Sequence, residues 1–310
     1  MKILICEFMD EAAVESLRAL HDTSHDATLV ERRDELLGRL SDVDALIVRN
    51  RTEVNAGMLA AAPKLKVVGR LGVGLDNIDL PACKARGVEV IPATGANALA
   101  VAEYVITTAM MLLRGAYFSS ASVAAGQWPR GPLSNGREIG GKTFGIVGFG
   151  GIGQLTARLA QGLGMRVVAT DPHIDAAAPV WKEAGVHCHT LDALIAESDV
   201  ISLHVPLVAA TRNLMSAARL AMMKPDAVLI NSARGGIIDE AALAMALKTK
   251  RLAGAALDVF DDEPLKAGSL LADCPNLILT PHIAGVTAEA NIRVGSMIAE
   301  RVAAYLASLR

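Results

Sequence analysis

The feature that most constrains the fold of this chain is the repeated alternation of short apolar runs with helix-like segments. Residues 11–20 are an example of such a helix-like segment. The runs are mostly apolar throughout, which is typical of strands buried on both faces of a parallel sheet. They form a first series at residues 2–6, 45–48, 67–70 and 88–91, and a second at residues 143–148, 165–170, 200–205, 227–233, 252–259 and 277–280. The pattern predicts two α/β domains, each a doubly wound parallel sheet flanked by helices.

Two long helical segments connect and close these domains. Residues 98–114 are long and apolar enough to form one helix between the two series. Near the end of the chain, Val294, Ile298, Val302 and Leu306 recur at every fourth position, as on one face of a helix. We expect this last helix to pack back on the first domain. The predicted domains are therefore residues 1–97 with 286–310, and residues 98–285.

Composition and charge exclude several classes of protein. Of the 310 residues 52% are hydrophobic and 20% charged, which is enough apolar material for a sizeable core. The net charge is −3 with both signs interspersed, so no basic stripe for nucleic acid is present. The longest apolar stretch, residues 101–113, contains Glu103 and is shorter than the roughly 20 residues of a membrane span. The N-terminus lacks a signal-peptide pattern, so we expect a cytoplasmic protein that binds neither nucleic acid nor membrane.

The cysteines do not indicate a disulfide framework. They are scattered without a close pair, as Cys6, Cys83, Cys188 and Cys274, which suits reduced thiols. His187 and His189 flank Cys188 and could share one face of a strand as metal ligands, but no third ligand is near in the sequence. We interpret this segment as an ordinary strand and predict no metal site.

A glycine motif follows the first strand of the second series. The run of residues 148–153 matches G-x-G-x-x-G, with a strand-like segment before it and a helical segment after it. Gly148 would permit a tight turn, Gly150 would let the backbone approach a pyrophosphate, and Gly153 would allow close helix packing. The N-terminus of the following helix would face the anion. This order of elements predicts a dinucleotide-binding site, although the same glycines could simply form a tight turn.

The cofactor is predicted to be NAD rather than NADP. The strand after the glycine motif ends in Asp171, near the position where an acidic side chain accepts hydrogen bonds from the adenosine ribose. A 2′-phosphate would meet this carboxylate, and no Arg or Lys adjacent in sequence offsets its charge. The alternative is that Asp171 only ends a strand.

Three polar segments follow the last strands of the second series, and each holds one candidate catalytic residue: Arg234, Glu263 and His282. Because ligands bind at the carboxyl ends of strands in open parallel sheets, we expect these segments to converge. Reduction of a 2-keto acid needs a cation to hold the carboxylate and an acid to protonate the developing alkoxide. Arginine suits the first task and histidine the second, while a carboxylate on the imidazole would fix its tautomer. Each residue also has an ordinary structural alternative: a helix cap for Arg234, a solvated loop acid for Glu263, and a satisfied histidine before a turn for His282.

The chain resembles the D-isomer-specific 2-hydroxyacid dehydrogenase family, and especially its phosphoglycerate dehydrogenase-like branch. The resemblance extends over essentially the whole sequence. Its most specific segments are residues 48–52, 69–79, 148–153, 231–239, 258–264 and 281–285. Residues 7–11 and 70–97 are also similar to those of sulfolactate dehydrogenases.

The resemblance implies the fold and the site. The fold would comprise a Rossmann-type cofactor domain and a flavodoxin-like substrate domain. Arg234, Glu263 and His282 would form the catalytic trio, and Arg234 and His282 would also contact the substrate. The backbone of Gly72, Val73 and Gly74 would help to bind the substrate carboxylate. Cofactor contacts would come from Gly148, Gly150, Gly151, Ile152, Gly153, Asp171, Val205, Ser232, Ala233, Asp258 and Gly285. Val205 departs from the Thr that phosphoglycerate dehydrogenases often have, which puts a side-chain hydrogen bond in doubt.

Members of the family are usually dimers formed through the long helix and the loop after it, here residues 98–141, so a homodimer is expected. The sequence stops after the last helix, so no C-terminal amino-acid-sensing domain and no serine feedback are expected. The alternatives are an NAD-sensing corepressor-like binding protein, a glyoxylate or hydroxypyruvate reductase, and formate dehydrogenase. Formate dehydrogenases place Gln beside the histidine, whereas this chain has Glu263. Steady oxidation of NADH by 2-keto acids would distinguish an enzyme from a corepressor.

Arg51 is the clue to the substrate. It follows the strand at residues 45–48, in the region that phosphoglycerate dehydrogenases use near the distal phosphate. If Arg51 has that role, the substrate carries a second anion at C3, and 3-phosphoglycerate and 3-sulfolactate are the leading candidates. The alternative is a solvated surface arginine.

Overall fold

The computed structural model describes residues 1–309 and divides them into two compact units. Unit 1 comprises Met1–Asn97 together with the chain from Val286 onward, and unit 2 comprises Ala98–Gly285. Each unit is an α/β fold built on a parallel sheet, with five strands in unit 1 and seven in unit 2. The predicted fold class is confirmed.

Unit 1 has the strand order β2-β1-β3-β4-β5, which is the flavodoxin-like order. Its strands are β1 (Lys2–Ile5), β2 (Asp22–His25), β3 (Ala45–Val48), β4 (Val67–Arg70) and β5 (Glu89–Pro92). Its helices in the first part of the chain are α1 (Glu11–Arg18), α2 (Arg33–Gly38), α3 (Ala56–Ala61) and α4 (Leu80–Ala85), with a 3₁₀ turn at Leu29–Glu31. Alternate residues of the central strands enter two different apolar clusters, so both faces of the sheet are covered.

Unit 2 has the order β12-β11-β10-β9-β6-β7-β8, a Rossmann arrangement extended by one strand. Its strands are β6 (Thr143–Val147), β7 (Arg166–Thr170), β8 (His187–Cys188), β9 (Val200–Leu203), β10 (Val228–Asn231), β11 (Gly254–Leu257) and β12 (Leu277–Leu279). Its helices are α5 (Ala98–Arg114), α6 (Ser120–Ala124), α7 (Gly151–Gly162), α8 (Pro179–Glu183), α9 (Leu191–Glu197), α10 (Ala217–Met222) and α11 (Glu240–Lys248), with 3₁₀ turns at Ala116–Ser119 and Pro132–Asn135. Two apolar clusters again cover the two faces of the sheet.

The last helix, α12 (Ala288–Ser308), belongs to unit 1. Its buried face contains Ile298, Val302 and Leu306, which join the cluster that also holds Ile3 and Ile5 of β1. The contact with β4 is close: a Cβ added at Gly69 would lie 2.9 Å from a methyl group of Ile298 and 2.9 Å from one of Val302. Each of the three helix side chains contributes about 1.5–3 kcal/mol by burial, which explains why this apolar stripe is present in the sequence.

Most strands begin or end within one or two residues of the sequence prediction, and the exceptions have physical causes. β2 was not predicted because its sequence, DTSH, is polar and lies at the edge of the sheet. The segment of β11 was predicted too long at both ends. α7 begins inside the glycine motif, at Gly151, rather than after it.

Among the described residues, no single helix is both long and apolar enough to cross a membrane. The adjacent helical segments Ala98–Arg114 and Ala116–Ala124 together have the length and apolar composition of a span, but the chain bends by 69° between them.

Candidate active site

The strand order of unit 2 brings the predicted site segments to one edge of the sheet. All seven strands are parallel, so their carboxyl ends point the same way, and β9 to β12 are consecutive neighbours. The chain reverses its direction of progress across the sheet between β6 and β9, which is where open α/β sheets bind their ligands. The glycine motif follows β6, and the candidate catalytic segments follow β10, β11 and β12.

The glycine turn fits a dinucleotide phosphate. Gly148 has a φ of 95°, and a Cβ there would lie 2.6 Å from the carbonyl oxygen of His204. A Cβ at Gly153 would lie 2.2 Å from the carbonyl oxygen of Gly148, so the chain's own packing requires both glycines. A Cβ at Gly150 or Gly151 would meet no atom within 4 Å. The absence of a side chain at these two positions instead leaves open space at the N-terminus of α7, where an anion is favoured.

Asp171 lies after β7 and is tied to the glycine turn. Its Oδ2 accepts a hydrogen bond of 2.9 Å from the backbone N–H of Phe149, and its Oδ1 accepts one of 2.9 Å from the N–H of His173. A carboxylate has about four acceptor positions, so two remain for ribose hydroxyls. The contact with Phe149, inside the glycine motif, was missed by sequence reasoning because it joins residues 22 positions apart.

The remaining predicted cofactor residues of unit 2 lie at the same edge. Val205 follows β9, Ser232 and Ala233 follow β10, and all three are half-buried. The Oγ of Ser232 is buried without a hydrogen-bond partner among the described residues. A buried hydroxyl of this kind needs a partner, and a bound cofactor would supply one. Gly285 is the last residue of unit 2.

The side chain of Asn231 holds the backbone around Arg234. Asn231, at the end of β10, is 2% exposed; its Nδ2 donates to the Arg234 carbonyl (2.8 Å) and its Oδ1 accepts from the Ala233 N–H (3.1 Å). A Cβ added at Gly235 would lie 1.8 Å from the carbonyl oxygen of Phe260. Only glycine therefore allows the Arg234 segment to approach the segment after β11, which carries Glu263.

The structure brings Glu263 and His282 together. The Nδ1 of His282 donates to Glu263 Oε2 at 2.8 Å, and Glu263 Oε1 accepts from the Phe260 N–H at 3.1 Å. A carboxylate can only accept from a neutral imidazole, so this contact places the proton on Nδ1 and leaves Nε2 for another partner. Both side chains are partly exposed to solvent.

Asp258, predicted as a cofactor contact, lies between these segments and is 1% exposed. Its Oδ1 accepts from the N–H of Ile283 and its Oδ2 from the N–H of Ala284, both at 2.8 Å. The carboxylate therefore holds the two residues that follow His282. This role was not predicted, because nothing near Asp258 in the sequence points to the segment after β12.

In unit 1, a buried carboxylate holds the loop that carries Arg51. Glu7 is 3% exposed, and it accepts hydrogen bonds from the N–H groups of Arg49 (2.8 Å), Thr52 (3.0 Å) and Arg51 (3.1 Å). Asn77 binds the other side of the loop, donating to the carbonyls of Arg49 (3.2 Å) and Thr52 (2.6 Å). Glu7 therefore holds the N–H groups of this loop, and Asn77 holds its carbonyl groups.

The two arginines of this loop have different environments. The side chain of Arg51 is 57% exposed and pairs with Glu31 at 3.2 Å, which is a surface ion pair of small energetic value. Arg49 is half-buried: its Nη2 donates to Asn291 Oδ1 at 3.1 Å, and its guanidinium lies 5.7 Å from the centroid of the Phe8 ring. Burial lowers the pKa of Arg49, and the nearby Glu7 charge partly opposes that change. Sequence reasoning missed Arg49; its place directly after a fully buried strand was the available signal.

The predicted carboxylate-binding backbone, Gly72 to Gly74, also lies in unit 1. Gly72 has a φ of 153° and is buried. A Cβ added there would lie 1.5 Å from Nη1 of Arg70. The same Nη1 donates to the Leu71 carbonyl at 3.1 Å. The φ of Gly72 explains the glycine, because residues with a side chain rarely adopt that backbone conformation, whereas the Arg70 guanidinium is the end of a flexible side chain and could move. Across residues 1–309, no group of three or more His, Cys, Asp or Glu side chains could hold a metal ion.

The sheet order of unit 2, its glycine turn and the acid after the next strand define a dinucleotide-binding α/β protein. Residues 106–284 match the family model described as D-isomer specific 2-hydroxyacid dehydrogenase, NAD binding domain. The chain belongs to this family of NAD-dependent oxidoreductases acting on 2-hydroxy acids, which confirms the family and the NAD cofactor predicted from the sequence, while the preference for NAD over NADP stays a prediction.

Three similar proteins illustrate the relationship. The chain is 52% identical to an (S)-sulfolactate dehydrogenase of Chromohalobacter salexigens, over 97% of this chain and 96% of the relative. It is 37% identical to a D-3-phosphoglycerate dehydrogenase of Archaeoglobus fulgidus, over 97% of this chain and 56% of that protein. The chain thus spans about half the length of the phosphoglycerate dehydrogenases that it matches. Among solved structures, the TT0316 protein from Thermus thermophilus superposes with a TM-score of 0.89 at 32% identity, covering 99% of this chain and 97% of that one.

Proposed function

We propose that Arg234, Glu263 and His282 carry the chemistry of a 2-hydroxyacid dehydrogenase whose substrate has a second anion at C3. The observation that carries the first part is the 2.8 Å contact between His282 and Glu263 at the sheet edge that also presents the Arg234 segment. In this proposal unit 2 is the dinucleotide-binding domain, and unit 1 supplies substrate contacts.

Each residue has a task that follows from its chemistry. When bound at the residues named below, NAD would supply the hydride chemistry at C2 of the substrate. His282 moves the hydroxyl proton at Nε2, giving it to the keto oxygen in reduction and taking it back in oxidation. Glu263 holds the Nδ1 proton, which fixes the tautomer and stabilises the imidazolium when it forms. Arg234 binds the C1 carboxylate in the planar geometry that a guanidinium favours and polarises the keto group. The Gly72 to Gly74 backbone binds the same carboxylate.

The cofactor contacts are proposed from the same edge of unit 2. Open space at Gly150 and Gly151 supports a pyrophosphate site beside Ile152, and the orphaned Ser232 hydroxyl supports a contact from the Ser232–Ala233 segment. Asp171 binds the ribose hydroxyls with its two remaining acceptor positions. Val205 contacts the cofactor through its backbone, because its side chain has no hydrogen-bonding group.

Arg49 and Arg51 support a distal anion. Among the described residues Arg49 forms no ion pair, so this partly desolvated cation is available to a bound anion. Arg51 sits on the same clamped loop, and its exposed pair with Glu31 costs little to exchange for a bound dianion. The 52% identity to a sulfolactate dehydrogenase favours a C3 sulfonate over a phosphate.

A kinetic panel of sulfolactate, phosphoglycerate, glycerate and lactate tests the proposed substrate class. Arg51→Ala should lower kcat/KM for the two C3 anions by about tenfold or more, the value of one charge-assisted hydrogen bond, and should change lactate little. Arg49→Ala should show the same selectivity. Arg39→Ala, which removes another arginine paired with a surface glutamate in unit 1, is the matched control. An equal loss of kcat/KM for all four substrates would overturn the proposal that the substrate has a second anion at C3.

We also propose that the protein is a cytoplasmic homodimer. The four cysteines are free, which suits a reducing compartment, and fractionation of cells checks the location. In unit 2, large apolar side chains are exposed on and beside α6: Tyr117, Phe118, Val123 and Trp128, the last 78% exposed. Clusters of this kind mark interfaces between proteins.

Light scattering after gel filtration tests the dimer. The wild-type protein should have the mass of two chains. Trp128→Asp should lower the measured mass to that of one chain, because an unpaired carboxylate is too costly to bury in an apolar interface. Met245→Asp places the same charge on an exposed apolar position of α11 and should leave the mass unchanged. A wild-type monomer would refute the proposal.

A further inference from the structure

A chain of hydrogen bonds links the long helix α5 to the segment that carries His282. The hydroxyl of Tyr104 lies 2.7 Å from Thr280 Oγ1, and Thr280 Oγ1 lies 2.6 Å from Asp258 Oδ1. Tyr104 and Thr280 are 176 positions apart in the sequence, and neither has a role in the site described so far. All three residues belong to unit 2.

The chemistry of the three groups sets the direction of this chain. A carboxylate is an acceptor only, so Thr280 must use its single hydroxyl proton toward Asp258. The Thr280 oxygen then has only lone pairs left for Tyr104, so the tyrosine is the donor. Burial raises the pKa of Tyr104 to about 12, so this donor keeps its proton throughout the neutral pH range. Two donors in series therefore point toward one buried carboxylate.

Asp258 in turn determines the backbone around His282. Its main-chain carbonyl accepts from the N–H of His282 (2.9 Å), and its carboxylate accepts from the next two N–H groups, of Ile283 and Ala284. His282 has a φ of 55°, a left-handed conformation that is uncommon outside glycine. Such a conformation persists only when the surroundings over-determine it, and three consecutive N–H groups bound to one residue do so here.

We propose that Tyr104 and Thr280 are positioning residues for His282, which they hold in its reactive orientation by orienting the Asp258 carboxylate. This inference rests on the proposed role of His282. If the Thr280 hydroxyl is lost, Asp258 Oδ1 can rotate away from the Ile283 N–H, and the imidazole loses its alignment with Glu263. A misplacement of about 1 Å at a reacting group is enough to lower a rate by up to roughly a hundredfold.

The test compares single and double variants of the chain. Thr280→Val should lower kcat by about tenfold, and Thr280→Ser, which keeps the hydroxyl, should restore it. Tyr104→Phe removes only one oxygen atom and should lower kcat by about threefold. Because Tyr104 acts through the Thr280 hydroxyl, Tyr104→Phe should have no further effect in the Thr280→Val background. In all variants KM and the NADH dissociation constant should change less than kcat.

Thr108→Val is the matched control. Thr108 is a buried threonine of α5 that donates to the Tyr104 carbonyl at 2.9 Å and takes no part in the Asp258 chain. It should lower thermal stability without lowering kcat. Independent, additive effects of Tyr104→Phe and Thr280→Val, or a fall in stability with normal kcat in both, would overturn the inference. Normal turnover in His282→Ala would instead defeat the proposed function itself, so the two failures are distinguishable.

Discussion

His282→Ala is expected to lower kcat by about 10²–10⁴-fold, the range for a lost general acid or base, while NADH still binds. The Nδ1 of the His282 imidazole is already committed to Glu263 at 2.8 Å, which leaves Nε2 to give and take the substrate proton. The loss should therefore appear in kcat rather than in the affinity for the cofactor. Steady-state kinetics and fluorescence titration with NADH measure the two quantities separately.

Two further variants sharpen this test. Glu263→Gln keeps an oxygen near His282 but removes the negative charge, so it should displace the pH optimum rather than abolish turnover. His187→Ala removes an exposed histidine from β8 of the same unit and should leave kcat unchanged. If folded His282→Ala retained near-normal turnover, the proton would have to come from another group.

Wild-type kcat/KM should favour NAD over NADP by about a hundredfold or more. The 2′-phosphate of NADP would lie against the Asp171 carboxylate, and unfavourable contact between like charges costs several kcal/mol, where about 1.4 kcal/mol corresponds to tenfold. The position of this carboxylate is fixed by the N–H groups of Phe149 and His173, so it cannot easily turn away. Equal or better use of NADP would defeat the assignment of Asp171.

Variants of Asp171 should separate its charge from its structural contact. Asp171→Asn retains an oxygen that can accept from Phe149, so the glycine turn should persist while the discrimination against NADP narrows. Asp171→Ala also releases the turn and should lower thermal stability and the affinity for NADH together. Asp175→Asn is the matched control, because Asp175 accepts from the Ala177 N–H at 2.7 Å within the same loop. Asp175→Asn should leave the discrimination against NADP, the thermal stability and the affinity for NADH unchanged.

The local elements of this protein could be predicted from its sequence because they depend on local patterns. The apolar runs predicted β3 and β4 to the residue, and the apolar segment at 98–114 predicted α5. The spacing of the glycines fits a strand-to-helix turn, and two requirements lie within that turn: Gly148 has a φ of 95°, and a Cβ at Gly153 would lie 2.2 Å from the carbonyl oxygen of Gly148. Burial of an apolar face and the steric freedom of glycine act over a few residues, so a few residues suffice to reveal them.

The tertiary structure decided which polar groups meet. The sequence places Arg49 directly after a buried strand, but it does not say what the side chains of Arg49 and Arg51 contact: one is half-buried beside Phe8, and the other pairs with Glu31 at the surface. Glu7 looks like an ordinary charged residue after a strand, but the order of β1 and β3 in the sheet brings the 49–52 loop onto its carboxylate. The contact between Tyr104 and Thr280 likewise arises from strand and helix packing across 176 positions. A buried polar group must find a partner, but the sequence states only this requirement; the partner is set by long-range packing.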